Sequence, residues 1–230
     1  MDLGLIIQLG YVVAAGLFIF GLKMLGSPDT ARRGNGISAI GMLVAIIAAL
    51  LDQGIVQYEY ILGGMVVGGL IGAVAARTVA MTSMPEMVAL FNGVGGAASG
   101  LVGVAALSIA DGSFTYITIV LSILIGGVTF TGSLVAYGKL SETIGSGAVT
   151  FGGQKFVNGL IVIGILASAV MFVMDPTNTN MLYTVVGLSL LFGIMVVIPI
   201  GGADMPVVIS LLNSYSCLLY TSDAADEVDG

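Results

Sequence analysis

The chain has 230 residues, of which 57% are hydrophobic and only 8% are charged, and its mean hydropathy is +1.12. Because a soluble domain carries about 25% charged residues, this composition excludes an ordinary soluble protein and indicates an integral membrane protein. The net charge of −7 gives no reason to expect a nucleic-acid partner, and the absence of histidine excludes His-based metal sites and proton relays within this chain.

Eight apolar runs have about the length needed to cross a bilayer, which takes about 20 helical residues. The second run is short, so we expect it to extend into its neighbouring connections. The sequence predicts an all-α fold, a polytopic transmembrane helix bundle of about eight spans. The runs are Leu3–Met24, Gly36–Leu51, Tyr60–Ala80, Met87–Ala110, Tyr116–Gly138, Phe156–Met174, Met181–Ile200 and Met205–Tyr220.

The Lys and Arg residues predict the orientation of these spans. They lie in the first, third and fifth connections, whereas the second, fourth and sixth carry acidic residues only. Because basic residues accumulate in cytoplasmic loops, we expect the odd-numbered connections in the cytoplasm and the N-terminus outside. The basic residues are Lys23, Arg32, Arg33, Arg77, Lys139 and Lys155.

Small residues in the third and fourth spans have the spacing of closely packed membrane helices. Gly64, Gly68 and Gly72 repeat at four-residue intervals in the third span. In the fourth span, one face carries small and polar residues, and this face should lie against protein or water instead of lipid. That face consists of Asn92, Gly96, Ser99 and Gly103, with Gly100 completing a second glycine pair.

Two helix starts share a pattern that places an asparagine at the same depth in the membrane. Met84-Pro85 precedes Asn92, and Met205-Pro206 precedes Asn213, with seven residues from proline to asparagine in each case (92 − 85 and 213 − 206). At about 1.5 Å rise per residue, each amide lies on the order of 10 Å from its helix start. Both starts are predicted on the cytoplasmic side, so the two helices run parallel.

An amide group in hydrocarbon must find a polar partner or a wet cavity. Asn92 and Asn213 therefore either hold helices together or line a shared polar site, and their matched depth favours the shared site. Neither amide titrates, so each can only orient water or a partner's acid. The hydroxyl groups that would extend the site are those of Thr129, Thr131 and Ser133 in the fifth span and of Ser210 and Ser214 in the eighth.

Two acidic residues lie beside these helix starts. Ser83 and Glu86 form a capping-box pattern, and Asp204 is a candidate N-cap ahead of Pro206. Each carboxylate has a second interpretation, in which it accepts a proton at the cytoplasmic mouth of a path. The pattern alone leaves both roles open.

Three blocks of the sequence resemble the beta subunit of proton-translocating NAD(P) transhydrogenase. They are Met84–Leu90, Val128–Ser133 and Gly201–Ser216, and the likeness as a whole covers about residues 1–216. The resemblance implies a bundle of nine spans followed by a soluble NADP-binding domain. It also implies that protons cross the bundle while hydride passes from NADH, on the alpha subunit, to NADP on the beta subunit.

The resemblance links Asn213 and Asp204 to proton passage and to its coupling with the NADP domain, and it places Glu86 at the corresponding acidic position. Many members of the family carry a titratable histidine where this chain has Asn92, so an alpha-subunit span is expected to supply the titrating group. The predicted proton path is Asn92, Asn213, Glu86, Asp204 and Ser133. No catalytic, cofactor-binding or metal-binding residue is predicted in this chain.

The last residues depart from the family pattern. After Ser216, the stretch Cys217–Ser222 leads to the acidic segment Asp223–Gly230 in place of a Gly/Ala-rich helix. We therefore expect a transmembrane proton-translocating domain at 1–216, a divergent acidic and candidate non-native tail at 217–230, and no NADP-binding domain. Such a chain alone would bind neither NAD nor NADP and would not transfer hydride.

The predicted function is thus the membrane proton channel of a transhydrogenase, which acts as translocase and oxidoreductase, with NAD and NADP, in the full complex. The expected partners are the alpha subunit, membrane lipid and a second alpha–beta unit in a homodimer. The expected location is the bacterial cytoplasmic (inner) membrane, with multiple spans. Two alternatives stay open: a secondary transporter with a parallel repeat, and a structural membrane subunit in which both amides only join helices.

Overall fold

The computed structural model describes the backbone of residues 3–51 and 58–226, and the side chains of these residues up to 216. Every regular element in this part of the chain is helical, which confirms the all-α prediction. Two 3-10 turns, Met81–Ser83 and Gly202–Asp204, precede α4 and α8. The helices are α1 (Leu3–Leu25), α2 (Pro28–Leu50), α3 (Tyr58–Thr78), α4 (Met84–Ala106), α5 (Gly112–Leu140), α6 (Gln154–Met174), α7 (Thr179–Val197) and α8 (Met205–Asp226).

Within the described residues, α1 to α7 are long and apolar enough to cross a membrane, and α8 begins at the predicted Met205. The short second run extends as expected, because α2 begins at Pro28, eight residues (36 − 28) before the run. Proline is favoured in the first turn of a helix, where its missing N–H costs no hydrogen bond. The basic pair Arg32 and Arg33 therefore lies in the first turns of α2 and not in the connection.

The chain divides into two compact units, residues 1–78 and 79–230. In the first unit, α1 and α2 form a tightly packed hairpin. A Cβ atom added to Gly21 would lie 2.8 Å from the carbonyl oxygen of Gly34, so only glycine lets the two backbones approach this closely. The buried residues of the hairpin are all small: Ala14, Gly21, Gly34, Gly41 and Ala48.

The predicted close packing of α3 is wrong for the residues that the structure describes. None of α3 is buried, and ideal Cβ atoms on Gly64, Gly68 and Gly72 would have no neighbouring atom within 4 Å. Glycines spaced four residues apart allow another helix to approach closely, but this spacing does not show that a second helix packs there.

In the second unit, α5 is the central helix and packs against α4, α6, α7 and α8. One apolar cluster lies where α4 and α8 begin and where α5 and α7 end, and we call this the Met-Pro end, after Pro85 and Pro206. Its buried members are Ala89, Val135, Ala136, Val197, Met205, Ile209 and Leu212. The starts of α4 and α8, which share the sequence pattern, therefore lie at the same end of this unit.

Candidate functional site

The polar site depends on the close approach of α4 to α5. A Cβ atom on Gly96 would lie 2.7 Å from Cβ of Thr129 and 2.9 Å from the carbonyl oxygen of Gly126. Gly96, Ser99 and Gly103 are all buried in this contact, which confirms that the small-residue face of α4 packs against protein. The two backbones are therefore close enough for short polar side chains to bridge them.

Asn92 makes that bridge. Its amide Nδ2 donates a hydrogen bond of 2.9 Å to Oγ of Ser133, and Ser133 is completely buried while Asn92 is half-buried. A hydroxyl group both accepts and donates, so Ser133 still has a proton to give to a water molecule or another acceptor. The structure thus brings together two of the predicted site residues, and their role in a proton path stays a prediction.

A second polar pair lies one helical turn away on α5. Oγ1 of Thr129 is 3.1 Å from Oγ of Ser216 on α8, and Thr129 is 1% exposed. Ser216 is missing from the predicted site, although its spacing from Ile209 and Leu212 places it on the buried face of α8. We call Asn92, Ser133, Thr129 and Ser216 the polar row.

The structure does not bring Asn213 to Asn92. Asn213 is exposed on α8, and within the described part of the chain no hydrogen bond joins it to Asn92 or Ser133. The neighbouring Leu212 faces the Met-Pro end cluster instead. Ser210 and Ser214 are also exposed, so α8 presents a polar face away from α5. The two asparagines have the same spacing from their prolines, but their amide groups are not in contact.

Thr131 belongs to a different interface from Thr129 and Ser133. Its Oγ1 donates to the carbonyl oxygen of Leu190 at 2.7 Å, which joins α5 to α7. Residues 129 and 133 are four apart and lie on one face of a helix, whereas residue 131 lies roughly opposite. Helical periodicity could have excluded Thr131 from the predicted site.

The two acidic residues lie at the Met-Pro end. Glu86 is half-buried in the first turn of α4, and Asp204 is exposed directly before α8. The capping box predicted a hydrogen bond from the backbone of α4 to the Ser83 side chain. This prediction is wrong, because the Ser83 side chain makes no capping hydrogen bond. Ser83 closes a 3-10 turn, in which its N–H donates to Ala80, and its ψ angle of 9° is not the extended one typical of an N-cap.

Lys139 is predicted from the sequence only as a basic residue of a cytoplasmic connection. In the structure it lies in the last turn of α5 and is 1% exposed. Its Nζ donates to the carbonyl oxygens of Gly147 at 2.8 Å, Ile198 at 2.7 Å and Ile200 at 2.8 Å. A lysine at the end of a helix is normally a surface residue, so no sequence signal indicates this burial.

A cavity of about 240 Å³ between α4, α5 and α7 has an almost entirely apolar lining. Among the described residues of its lining, the one polar side chain is that of Ser189, whose hydroxyl donates to the carbonyl oxygen of Val186 in its own helix. The cavity therefore belongs to helix packing and is not part of the polar row.

Comparison with known proteins connects this arrangement to one family. The family described as NAD(P) transhydrogenase beta subunit matches residues 7–222. Two curated relatives named NAD(P) transhydrogenase subunit beta, both from Rhodospirillum rubrum, are 39% identical to the chain over 218 residues. The match covers 90% of this chain and 46% of each relative, so the chain spans about half the length of the curated relatives it matches.

Proposed function

The chain belongs to the family of NAD(P) transhydrogenase beta subunits, and on that premise we propose that it is the proton-conducting membrane part of such a subunit. Its apolar helices make it a multi-pass membrane protein. In the complete enzyme, this part couples proton translocation to hydride transfer from NADH to NADP. The enzyme works with an alpha subunit, as a homodimer of alpha–beta units, in the bacterial inner membrane.

The hydrogen bond between Asn92 and Ser133 carries this proposal. A buried amide–hydroxyl pair between two membrane helices can hold and orient a water molecule, and the hydroxyl can pass a proton on. Thr129 and Ser216 continue the same chemistry one turn further along α5. The polar row is therefore the part of this unit best suited to guide a proton.

Neither amides nor hydroxyls titrate at physiological pH, so the path also needs an acid. Glu86 lies six residues (92 − 86) before Asn92 on α4, about 9 Å nearer to the Met-Pro end. We propose that Glu86, with Asp204 beside the start of α8, exchanges protons at this end of the path. The path requires one further titrating group, because the described part of α4, α5 and α8 has no acid along the polar row.

The exposed face of α8 supports an alpha-subunit helix as the source of that group. An amide and two hydroxyls facing acyl chains would be costly, so this face should be covered in the assembled membrane protein. We propose that an alpha-subunit span covers Asn213, Ser210 and Ser214 and brings the titrating side chain. Asn213 would then line the path from the α8 side.

The other candidate functions have less support. A secondary transporter usually binds its substrate where helices are broken at the midplane, whereas α4 is one continuous helix through Asn92. A purely structural role predicts that the Asn92–Ser133 pair affects stability alone. Measuring proton translocation by variants of this pair therefore separates proton conduction from a purely structural role.

Ser133→Ala in the complete enzyme is expected to lower proton translocation about tenfold, since a net loss of about 1.4 kcal/mol corresponds to this factor. The variant leaves the Asn92 amide without its acceptor and removes the hydroxyl proton. Translocation would be measured as the change in pH inside inverted vesicles during hydride transfer between the NAD and NADP couples.

Ser189→Ala is the matched control, because Ser189 is equally buried and, among the described residues, its hydroxyl bonds within α7. This control should translocate protons at the unmodified rate. If Ser133→Ala also did so at an equal amount of folded enzyme, the proposed path would be wrong.

A further inference from the structure

Lys139 joins three segments of backbone at the Met-Pro end. One of its acceptors, Gly147, lies in the α5–α6 connection, and the other two, Ile198 and Ile200, lie in the α7–α8 connection. The side chain itself extends from α5. We call this group, Lys139 with the carbonyls of Gly147, Ile198 and Ile200, the lysine clamp.

The clamp uses the full donor capacity of the ammonium group. Lysine has three N–H donors and no acceptor, and each donor reaches a carbonyl oxygen at 2.7 or 2.8 Å. The group also lies at the C-terminal ends of α5 and α7, where the helix dipoles favour a positive charge. A buried cation is costly unless it is satisfied in this way, so the position is poorly suited to simple space filling.

Two backbone hydrogen bonds also join the α5–α6 connection to the α7–α8 connection. The N–H of Val149 donates to Ile198 at 3.2 Å, and the N–H of Gly202 donates to Ser146 at 2.8 Å. The α5–α6 connection is thus bonded to the α7–α8 connection from both sides of the clamp. Residues 202–204 then lead directly into α8.

The clamp determines where α8 begins relative to α5. Met205, the first residue of α8, is completely buried in the cluster that also contains Ala136 of α5. Ser133 lies six residues (139 − 133) before Lys139, about 9 Å along α5. Asp204 lies four residues (204 − 200) after the last clamp carbonyl. A displacement at Asp204 therefore reaches α5 through a short connection that is hydrogen-bonded at Ile198, Ile200 and Gly202.

We propose that Lys139 is a positioning residue for proton translocation, which holds the start of α8 and Asp204 in register with Ser133 on α5. This inference rests on the proposed function. Without the clamp, α8 would shift against α5, and the pairs of the polar row would separate. Hydride transfer would then continue with fewer protons translocated per hydride.

The test uses the complete enzyme with Lys139→Met, which keeps the length of the side chain and removes its charge and donors. We expect proton translocation to fall at least about tenfold and the number of protons per hydride to fall with it. The translocation rate of Lys139→Arg should lie between those of the unmodified enzyme and Lys139→Met. The planar guanidinium group keeps the positive charge, but it cannot reproduce the three tetrahedrally arranged hydrogen bonds of lysine. Lys155→Met is the control, since Lys155 is an exposed lysine at the same end.

A disulfide that replaces the clamp separates positioning from a loss of folding. A Cβ atom on Gly202 would lie 3.1 Å from Cβ of Ser146, below the roughly 3.5–4.5 Å range of disulfides, so the two connections would have to move apart by a few tenths of an ångström to hold the bond. Ser146→Cys and Gly202→Cys would be combined with Lys139→Met, and with Cys217→Ser to remove the one cysteine of the given sequence. Oxidation should restore translocation to at least about half of the unmodified rate, and reduction should lower it again to the rate of Lys139→Met.

The rate of disulfide formation gives a measurement that does not depend on activity. Without Lys139 the two connections should separate more often, and the bond should form about tenfold more slowly. Normal translocation by Lys139→Met would overturn the proposal. So would a loss of translocation, or of folded enzyme, that the disulfide fails to repair. A clamp that passes these tests while Ser133→Ala translocates normally would show that the proposed path, and not the clamp, is wrong.

Discussion

Gly126→Val is expected to prevent the second unit from folding, with little or no enzyme accumulating in the membrane. A Cβ atom at this position would lie 2.6 Å from the carbonyl oxygen of Gly96 and 2.7 Å from the backbone nitrogen of Gly100. Both are backbone atoms of α4, so neither can move aside as a flexible side chain would. Overpacking of this kind costs about 1–3 kcal/mol or more.

The amount of folded protein extracted by mild detergent, measured by size-exclusion chromatography, checks this expectation. Gly95→Val is the matched control, because it adds the same side chain where no atom lies within 4 Å of the Cβ position. The control should accumulate normally. Equal recovery of both variants would show that α4 and α5 do not approach each other as closely as described.

Asn92→Leu is expected to reduce proton translocation by at least about tenfold at a normal amount of folded enzyme. Leucine has the same number and branching of side-chain heavy atoms as asparagine, although it is bulkier, and it cannot bond to Ser133 or orient water. Because leucine is well tolerated in a membrane helix, we expect the effect on function to exceed the effect on stability. The pH change inside inverted vesicles and the amount of detergent-extracted protein, measured together, separate the effect on function from the effect on stability.

Asn158→Leu provides a control with the opposite expectation. The Oδ1 atom of Asn158 in α6 is buried and has no hydrogen-bond partner in the described structure. Replacing an unsatisfied buried polar group by an apolar one is neutral or stabilising. Asn158→Leu should therefore translocate normally. If the two variants lost translocation equally, the effect would belong to buried amides in general and not to the polar row.

The architecture was predictable because hydropathy reports directly on the lengths of membrane helices. The starts of α4 and α8 were also predictable, since the two Met-Pro pairs mark them. The contact of α4 with protein was predictable from its face of small residues, Gly96, Ser99 and Gly103. Small residues let another helix approach closely.

Contacts between helices were predicted less well, because periodicity along one helix does not identify the partner of each face. Asn213 has the same distance from its proline as Asn92, but it is exposed on α8, next to the buried Leu212. The glycines of α3 have ideal spacing and no neighbour among the described residues. The clamp formed by Lys139 uses backbone carbonyls, which every residue has, so no sequence pattern indicates it.

The coupling between Asn92 and Ser133 tests the proposed proton path most directly. It is measured by comparing translocation in Asn92→Leu, in Ser133→Ala and in the double variant, each corrected for folded enzyme. If the hydrogen-bonded pair acts as one unit, the double variant will translocate as fast as Asn92→Leu alone. Losses that multiply in the double variant would contradict the account, because they would mean that the two side chains act independently.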